Sequence, residues 1–290
     1  DDSAVGCDAR LATAERARST GAAGVRLGLG VEASRARCAA IRSIEDGADR
    51  TSEPTGCIVA GKRTRRCLVA LVERIEKPGP KKLLAIDGGG IRGVLALEVL
   101  RGIEGRLRAN SNRPNLRLAD YFDYISGTST GGIIAAALSI GMSVDEILDF
   151  YQDCGAQMFV KSHLLRRLRS KYQDEPLAAK LQEVFGAHTE FGSDRLRTLL
   201  LLVMRNATTD SPWPLSNNPY AKYNDTSRPD CNLRFPLWQL VRASTAAPTY
   251  FPPEVIVLPG GPNGQEKQFV FVDGGVTMYN DPAFQMFLMA

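Results

Sequence analysis

The feature that most constrains this chain is a serine placed between two glycines, in Gly127-Thr-Ser-Thr-Gly131. Residues 121–126 before it are mostly apolar and predict a strand, and residues 132–138 after it favour a helix. A G-x-S-x-G turn between a strand and a helix is typical of a nucleophile elbow, which raises the serine hydroxyl above the sheet. The two glycines leave room where side chains would collide. The pattern predicts an α/β fold in which Ser129 is a nucleophile.

A second glycine-rich turn lies upstream, in Asp87-Gly-Gly-Gly-Ile-Arg-Gly93. It is preceded by a predicted short strand over residues 81–86 and followed by a predicted helix over residues 94–100. Backbone N–H groups at the start of a helix have no partner within the helix and point outward. They suit an oxyanion hole, in which donors are fixed where negative charge will develop. The predicted donors are those of Gly88, Gly89 and Gly90.

The same turn also matches the G-x-G-x-x-G pattern of dinucleotide sites. That alternative predicts a second strand ending in an acidic residue about 20 positions further on. Residues 108–115 are polar in that region and predict a loop instead. A tight turn that binds no ligand is the other alternative.

A third motif is the apolar stretch 269–272 that ends in Asp273, Gly274 and Gly275. In open α/β sheets, ligand and catalytic sites form at the carboxyl ends of the strands. Asp273 is therefore a candidate site residue. The alternative is an ordinary turn at the end of a strand, for which Asp-Gly is a favoured pair.

The histidines limit the choice of catalytic base. Only His163 and His188 are present, and both precede Asp273. An α/β-hydrolase triad runs serine, acid, histidine along the chain, so Asp273 cannot belong to one. An earlier acid would complete that order, but neither histidine follows a predicted core strand, and both are interpreted as surface residues. The base for Ser129 is then most economically a carboxylate.

In this order and spacing, the three motifs resemble those of the patatin-like phospholipases. The resemblance covers residues 81–290. It implies a three-layer α/β sandwich with a mostly parallel central sheet, and a Ser–Asp dyad with Ser129 as nucleophile and Asp273 as general base. The remaining motif residues are expected to support the site: Asp87, Arg92, Gly93, Gly127, Gly131, Gly274 and Gly275.

The resemblance implies hydrolysis of acyl esters in lipids, as a phospholipase A, lipase or esterase, with no metal or organic cofactor. One departure is Asn280-Asp-Pro282, where that family often has two asparagines before the proline. Two alternative functions stay open. One is a nucleotide-binding α/β protein, and the other is a catalytically inactive relative that acts as a storage or binding protein.

Lipid is the partner that the resemblance implies, and the charge of the chain does not indicate nucleic acid. The formal net charge of +4 is too small to indicate nucleic-acid binding. No apolar run approaches the roughly 18 residues of a membrane span, and no signal-peptide pattern opens the chain. The expected location is cytoplasmic or peripheral at a membrane, and the oligomeric state is not indicated.

Five basic residues interleaved with leucines predict either contact with an anionic lipid surface or a solvated helix face: Lys161, Arg166, Arg167, Arg169 and Lys171.

The pattern divides the chain near Pro78-Gly-Pro80. Residues 1–79 are weakly patterned and are interpreted as an N-terminal extension. Residues 80–290 form the predicted catalytic domain, whose final apolar helix has no C-cap and is expected to continue in a longer parent chain.

Residues 206–232 predict a loop long enough to act as a lid. Trp213 and Tyr220 in it either line an acyl path or belong to an ordinary surface loop.

Overall fold

The computed structural model describes residues 70–159, 175–228, 230–258 and 266–290. His163 and the basic cluster Lys161–Lys171 lie outside these residues. Six strands form one sheet: β1 (Leu83–Ile86), β2 (Tyr124–Thr128), β3 (Leu199–Asn206), β4 (Ser211–Ser216), β5 (Glu254–Leu258) and β6 (Lys267–Asp273).

Helices flank this sheet. They are α1 (residues 70–76), α2 (Gly93–Ser111), α3 (Leu118–Tyr121), α4 (Thr130–Ser139), α5 (Val144–Phe159), α6 (Glu175–Phe185), α7 (Leu237–Ser244) and α8 (Ala283–Met289). The loop predicted over residues 108–115 is wrong in its first half, because α2 continues to Ser111. It ends at Asn112, whose left-handed φ of 52° suits a helix C-terminus. Across the described part of the chain, no helix combines the length and hydropathy needed to cross a membrane.

The sheet is mixed. Strands β1, β2 and β3 run parallel, whereas β4 and β6 each pair antiparallel with β3, and β5 pairs antiparallel with β6. The predicted α/β fold is confirmed, but the expectation of a mostly parallel sheet is wrong for the described strands. The physical reason is local: β3 and β4 are joined by a turn at residues 207–210, and β5 and β6 are also neighbours in sequence, so both pairs are antiparallel hairpins.

The edges of β3 explain how the motifs meet. Strand β4 pairs with one edge of β3 along Leu201–Asn206. The opposite edge pairs with β2 as far as Thr128, which lies beside Val203, and then with β6 from Asp273, which lies beside Met204. Strands β2 and β6 therefore meet end to end on one edge of β3, with their carboxyl ends facing each other.

The two faces of the sheet are covered by different helices. On β3, Leu200 and Leu202 belong to the large core cluster that includes α4 and α7. Leu199 and Leu201 instead pack with Leu71 of α1 and with α8. This alternation, which follows from the two-residue period of a strand, gives the predicted three layers. The domain boundary at residue 79 stays a prediction, although Leu71, which precedes it, is buried against the sheet.

The segment predicted as a long loop contains β4. Trp213 packs against Phe269 and Phe271, with ring centroids 5.2 and 5.0 Å apart, in the apolar layer between β4 and β6. The hydroxyl of Tyr220 donates a hydrogen bond to Glu76 at 2.6 Å. The interpretation of this segment as a lid is therefore wrong for residues 211–216, and Trp213 is a half-buried residue that packs against the core.

Candidate active site

Ser129 occupies a strained turn between β2 and α4. Its φ of 55° and ψ of −127° lie outside the regions that a serine normally adopts. A Cβ on Gly127 would overlap the carbonyl oxygen of Gly131 and lie 2.6 Å from the backbone nitrogen of Gly132. A Cβ on Gly131 would lie 2.9 Å from the carbonyl carbon of Ile86. Both positions therefore accept only glycine, as the elbow pattern predicts.

Asp273 faces Ser129 across the junction of β2 and β6. The Ser129 Oγ donates a hydrogen bond to Asp273 Oδ2 at 2.6 Å, and Asp273 Oδ1 accepts one from the N–H of Gly275 at 2.6 Å. The carboxylate is only 5% exposed. Burial raises the pKa of Asp273, while the hydrogen bonds from Ser129 and Gly275 act in the opposite direction. A carboxylate with a raised pKa binds a proton more readily than an exposed one does.

The glycine loop lies directly beside the serine. A Cβ on Gly88 would lie 3.1 Å from the Cβ of Ser129. The N–H of Gly88 donates to the carbonyl of Asn280 at 3.2 Å, and that of Gly89 donates to Thr130 Oγ1 at 3.2 Å. No hydrogen bond from the N–H of Gly90 is found among the described residues. The structure thus places Gly88 against Ser129 and Gly89 against Thr130, the residue that follows Ser129.

Two further motif residues of the glycine loop are exposed. Asp87 has its pKa raised, first by partial burial and then by the negative charge of Asp281. Arg92 precedes α2 and is exposed to solvent. Neither side chain forms a hydrogen bond or ion pair with the dyad among the described residues.

The other glycines of the motifs fit against close neighbours. A Cβ on Gly93 would lie 3.2 Å from the ring of Tyr151, whose hydroxyl donates to the carbonyl of Thr130. A Cβ on Gly274 would lie 2.7 Å from the carbonyl carbon of Val203. Gly93 therefore lets α2 pack closely against α5, and Gly274 lets the turn after β6 pack closely against β3.

Three residues near the dyad were not predicted as site residues. Ser244 Oγ accepts a hydrogen bond from the N–H of Ser129 at 3.0 Å. Asn280 Nδ2 donates to the carbonyl of Gly88 at 3.1 Å. Thr128 Oγ1 donates to the carbonyl of Tyr279 at 2.8 Å. The sequence offered one signal for Asn280, because it follows the Asp-Gly-Gly turn at a position where the family often has the first of two asparagines. In this chain only the second of the two is replaced, by Asp281.

Other catalytic chemistries find little support in the described residues. His188 is exposed in the turn after α6. No group of three or more histidines, cysteines or acidic residues that could hold a metal ion occurs among the residues that the structure describes.

Comparison with known proteins identifies the family. Residues 84–287 match the Patatin-like phospholipase family. The chain belongs to the patatin-like phospholipases. Patatin-17 of Solanum cardiophyllum is 35% identical over 210 residues, covering 69% of this chain and 50% of that protein. Patatin group J-1 of Solanum tuberosum is 33% identical over 210 residues, covering 69% of this chain and 51% of that protein.

This chain spans about half the length of these patatins. Among solved structures, it is similar to the crystal structure of VipD from Legionella pneumophila, with a TM-score of 0.38 and 15% identity over 69% of this chain and 46% of that chain. As a family, the patatin-like phospholipases are lipid acyl hydrolases.

Proposed function

We propose that this protein hydrolyses carboxylic esters of lipids through an acyl-serine intermediate formed on Ser129. The observation that carries the proposal is the 2.6 Å hydrogen bond from Ser129 Oγ to Asp273 Oδ2. It joins a nucleophile on a strained elbow to a buried carboxylate that has no other side-chain partner among the described residues.

In the first step, Ser129 Oγ attacks the ester carbonyl carbon while its proton passes to Asp273 Oδ2. An ordinary aspartate is a weak base at neutral pH. The burial that raises the pKa of Asp273 makes it a better acceptor, and the short hydrogen bond allows proton transfer to accompany the attack. The ester oxygen then leaves as an alcohol after taking that proton back from Asp273.

The developing negative charge on the carbonyl oxygen needs fixed donors. The N–H of Gly90 has no partner in the part of the chain that the structure describes, and it is the first proposed donor. The N–H of Gly89 is the second, since its partner is the Thr130 hydroxyl, a side-chain group that can rotate away, whereas the N–H of Gly88 is bonded to a backbone carbonyl. The N–H of Gly88 is directed to Asn280 instead, so we assign Gly88 the role of allowing close contact between the loop and the dyad.

In the second step, water attacks the acyl-serine carbonyl and gives its proton to Asp273. The tetrahedral intermediate collapses, the fatty acid leaves, and Ser129 regains its proton from Asp273. These steps take the nucleophile, base and donors from the chain itself, and the absence of a metal or organic cofactor stays an expectation.

The dinucleotide alternative has less support from the glycine loop. Pyrophosphate binding needs several outward N–H groups at the start of the helix. The N–H of Gly88 is already bonded to the carbonyl of Asn280, and the first strand after the loop, β2, ends at Thr128 and not at an acidic residue. Lipid is the proposed partner, and contact with a membrane through the basic cluster stays a prediction.

The proposal is tested by measuring hydrolysis of p-nitrophenyl butyrate and fatty-acid release from phosphatidylcholine vesicles. Ser129→Ala is expected to reduce both rates at least about a thousandfold, because it removes the nucleophile. Ser111→Ala, which changes an exposed serine near the end of α2, serves as the matched control and should leave both unchanged. Hydrolysis by Ser129→Ala at the wild-type rate, or an inactive wild type, would refute the proposal.

A further inference from the structure

We propose that Ser244, in the last turn of α7, is a positioning residue that holds the backbone of the nucleophile in its reactive conformation. The inference rests on the proposed function of Ser129. It assigns a role to a side chain that touches neither the substrate nor the reacting atoms.

The Ser244 hydroxyl lies between the elbow that follows β2 and the backbone of β3. Ser244 Oγ accepts a hydrogen bond from the N–H of Ser129 at 3.0 Å and donates one to the carbonyl of Val203 at 2.6 Å. The residue is fully buried. One hydroxyl therefore uses its donor and an acceptor position to fix the elbow to β3, at the point where β2 stops pairing with that strand.

The same turn also holds the base. The carbonyl of Ala246, two residues beyond Ser244, accepts a hydrogen bond from the N–H of Asp273 at 3.0 Å. The end of α7 thus binds the backbone N–H groups of both dyad residues. The separation between Ser129 and Asp273 is consequently set by a third segment, in addition to their direct hydrogen bond.

The backbone of Ser129 needs such a support. A serine at φ 55° is in a strained conformation, and strain of this kind persists only where the surroundings fix it. The N–H of Ser129 lies between the end of β2 and the start of α4, and Ser244 supplies its partner. Helix α7 is a firm support because Leu240 and Val241 are fully buried in the core.

Loss of the Ser244 hydroxyl should therefore misplace Ser129 Oγ without altering the groups that contact substrate. A displacement of the order of 1 Å in a catalytic group can reduce the rate about a hundredfold. We expect kcat for p-nitrophenyl butyrate to fall at least about tenfold in Ser244→Ala, with KM unchanged. The rate at which a fluorophosphonate labels Ser129 should fall by a similar factor.

The matched control is Ser139→Ala. Ser139 is equally buried, and its hydroxyl donates to the carbonyl of Ala135 within α4, away from the dyad. A purely structural role for Ser244 predicts that both variants lose thermal stability while their folded fractions keep the wild-type kcat. A positioning role predicts that only Ser244→Ala loses kcat. A second variant, Ser244→Cys, keeps a similar shape but offers a weak acceptor, and its kcat should lie between those of the wild type and Ser244→Ala.

The inference is overturned if folded Ser244→Ala has a kcat within about twofold of the wild type. If Ser244→Ala does not fold, a wild-type kcat in Ser244→Cys overturns it instead. These outcomes differ from failure of the proposed function, in which the wild-type protein itself would neither hydrolyse the ester nor react with the fluorophosphonate at Ser129.

Discussion

Gly127 and Gly131 flank the turn that carries Ser129, and neither position has room for a methyl group: one on Gly127 would overlap the backbone of Gly131, and one on Gly131 would overlap the backbone of Ile86. The Cβ of an alanine at 127 would overlap backbone atoms, which cannot move aside as a flexible side chain can. The elbow conformation itself therefore depends on these two positions.

We predict that Gly127→Ala abolishes ester hydrolysis and markedly lowers the thermal midpoint. Gly102→Ala is the control, because Gly102 lies on α2 with no atom near its would-be Cβ. Alanine favours helix over glycine by about 1 kcal/mol, so that variant should be slightly more stable and fully active. Circular dichroism melting and the p-nitrophenyl butyrate assay measure both effects. An active Gly127→Ala protein would contradict the packing of the elbow.

The buried carboxylate of Asp273 predicts a particular pH dependence. Its raised pKa means that the folded state binds the proton more tightly than the unfolded chain. The contribution of this group to stability is therefore largest at low pH and is lost as pH rises through the folded-state pKa. Activity follows the opposite course, since the base must be deprotonated, and should rise with a midpoint above the ordinary aspartate value.

Asp273→Asn tests this relationship. The amide oxygen can still accept from Gly275, so the fold should be kept. We expect the thermal midpoint of the variant to rise relative to that of the wild type as pH is raised from about 4 to 7. Hydrolysis by the variant should be lost. If the variant's thermal midpoint instead rises relative to the wild type's as pH is lowered, the charged carboxylate is stabilised by its surroundings and the prediction is wrong.

At the scale of elements, the start of α5 illustrates a signal that is readable in sequence. Ser143 and Glu146 form a capping box, in which Glu146 accepts from the N–H of Ser143 and Ser143 Oγ accepts from the N–H of Glu146. The buried Glu104 adds a second acceptor, bonded to the N–H of Val144 at 3.2 Å. The first turn of α5 therefore has more than one cap.

We predict that Ser143→Ala lowers the free energy of unfolding by about 0.5–1 kcal/mol, the lower part of the range for lost N-caps, because Glu104 remains in place. Urea denaturation measures the change. Ser111→Ala, which lacks a capping role at a helix start, should fall within about 0.5 kcal/mol of the wild type. A loss above about 2 kcal/mol for Ser143→Ala would mean that Glu104 does not share the capping.

The strands show where sequence patterns fail. Strand β1, the β5–β6 hairpin and helix α6 were predictable, because each has a local periodicity or a clear terminus. Strand β4 was missed because Pro212 and Pro214 are unusual in strands, and they are tolerated here on a strand that pairs with β3 alone. The longer extent of α2 was missed because its last turn is polar and solvated.

At the scale of the whole molecule, the candidate site depends on pairing between distant segments. The motifs identified Ser129 and Asp273 as candidates, but their meeting requires β2 and β6 to share one edge of β3. No local pattern specifies that arrangement. Ser244 was missed for the same reason, since its partners Ser129 and Val203 are 115 and 41 residues away.

The face of the sheet covered by α1 and α8 yields a prediction about domain organisation. Leu71 is buried against Tyr124, Leu199 and Leu201. A chain that begins at residue 70 should keep the thermal midpoint and activity of the full sequence, if residues 1–69 form an extension. A chain that begins at residue 80 loses this packing and should be less stable by about 2–5 kcal/mol, as expected for loss of a large buried side chain. Equal stability of the two shortened chains would place the boundary at residue 79.

The central claim is that Asp273 makes Ser129 reactive, and covalent labelling tests it most directly. A fluorophosphonate is added to the wild type, Ser129→Ala and Asp273→Asn, the rate is followed by intact mass, and the labelled residue is found by peptide mapping. We predict labelling of the wild type at Ser129 alone, none of Ser129→Ala at that site, and at least about a hundredfold slower reaction of Asp273→Asn. Labelling of Asp273→Asn at the wild-type rate, or of the wild type at another residue, would contradict the account.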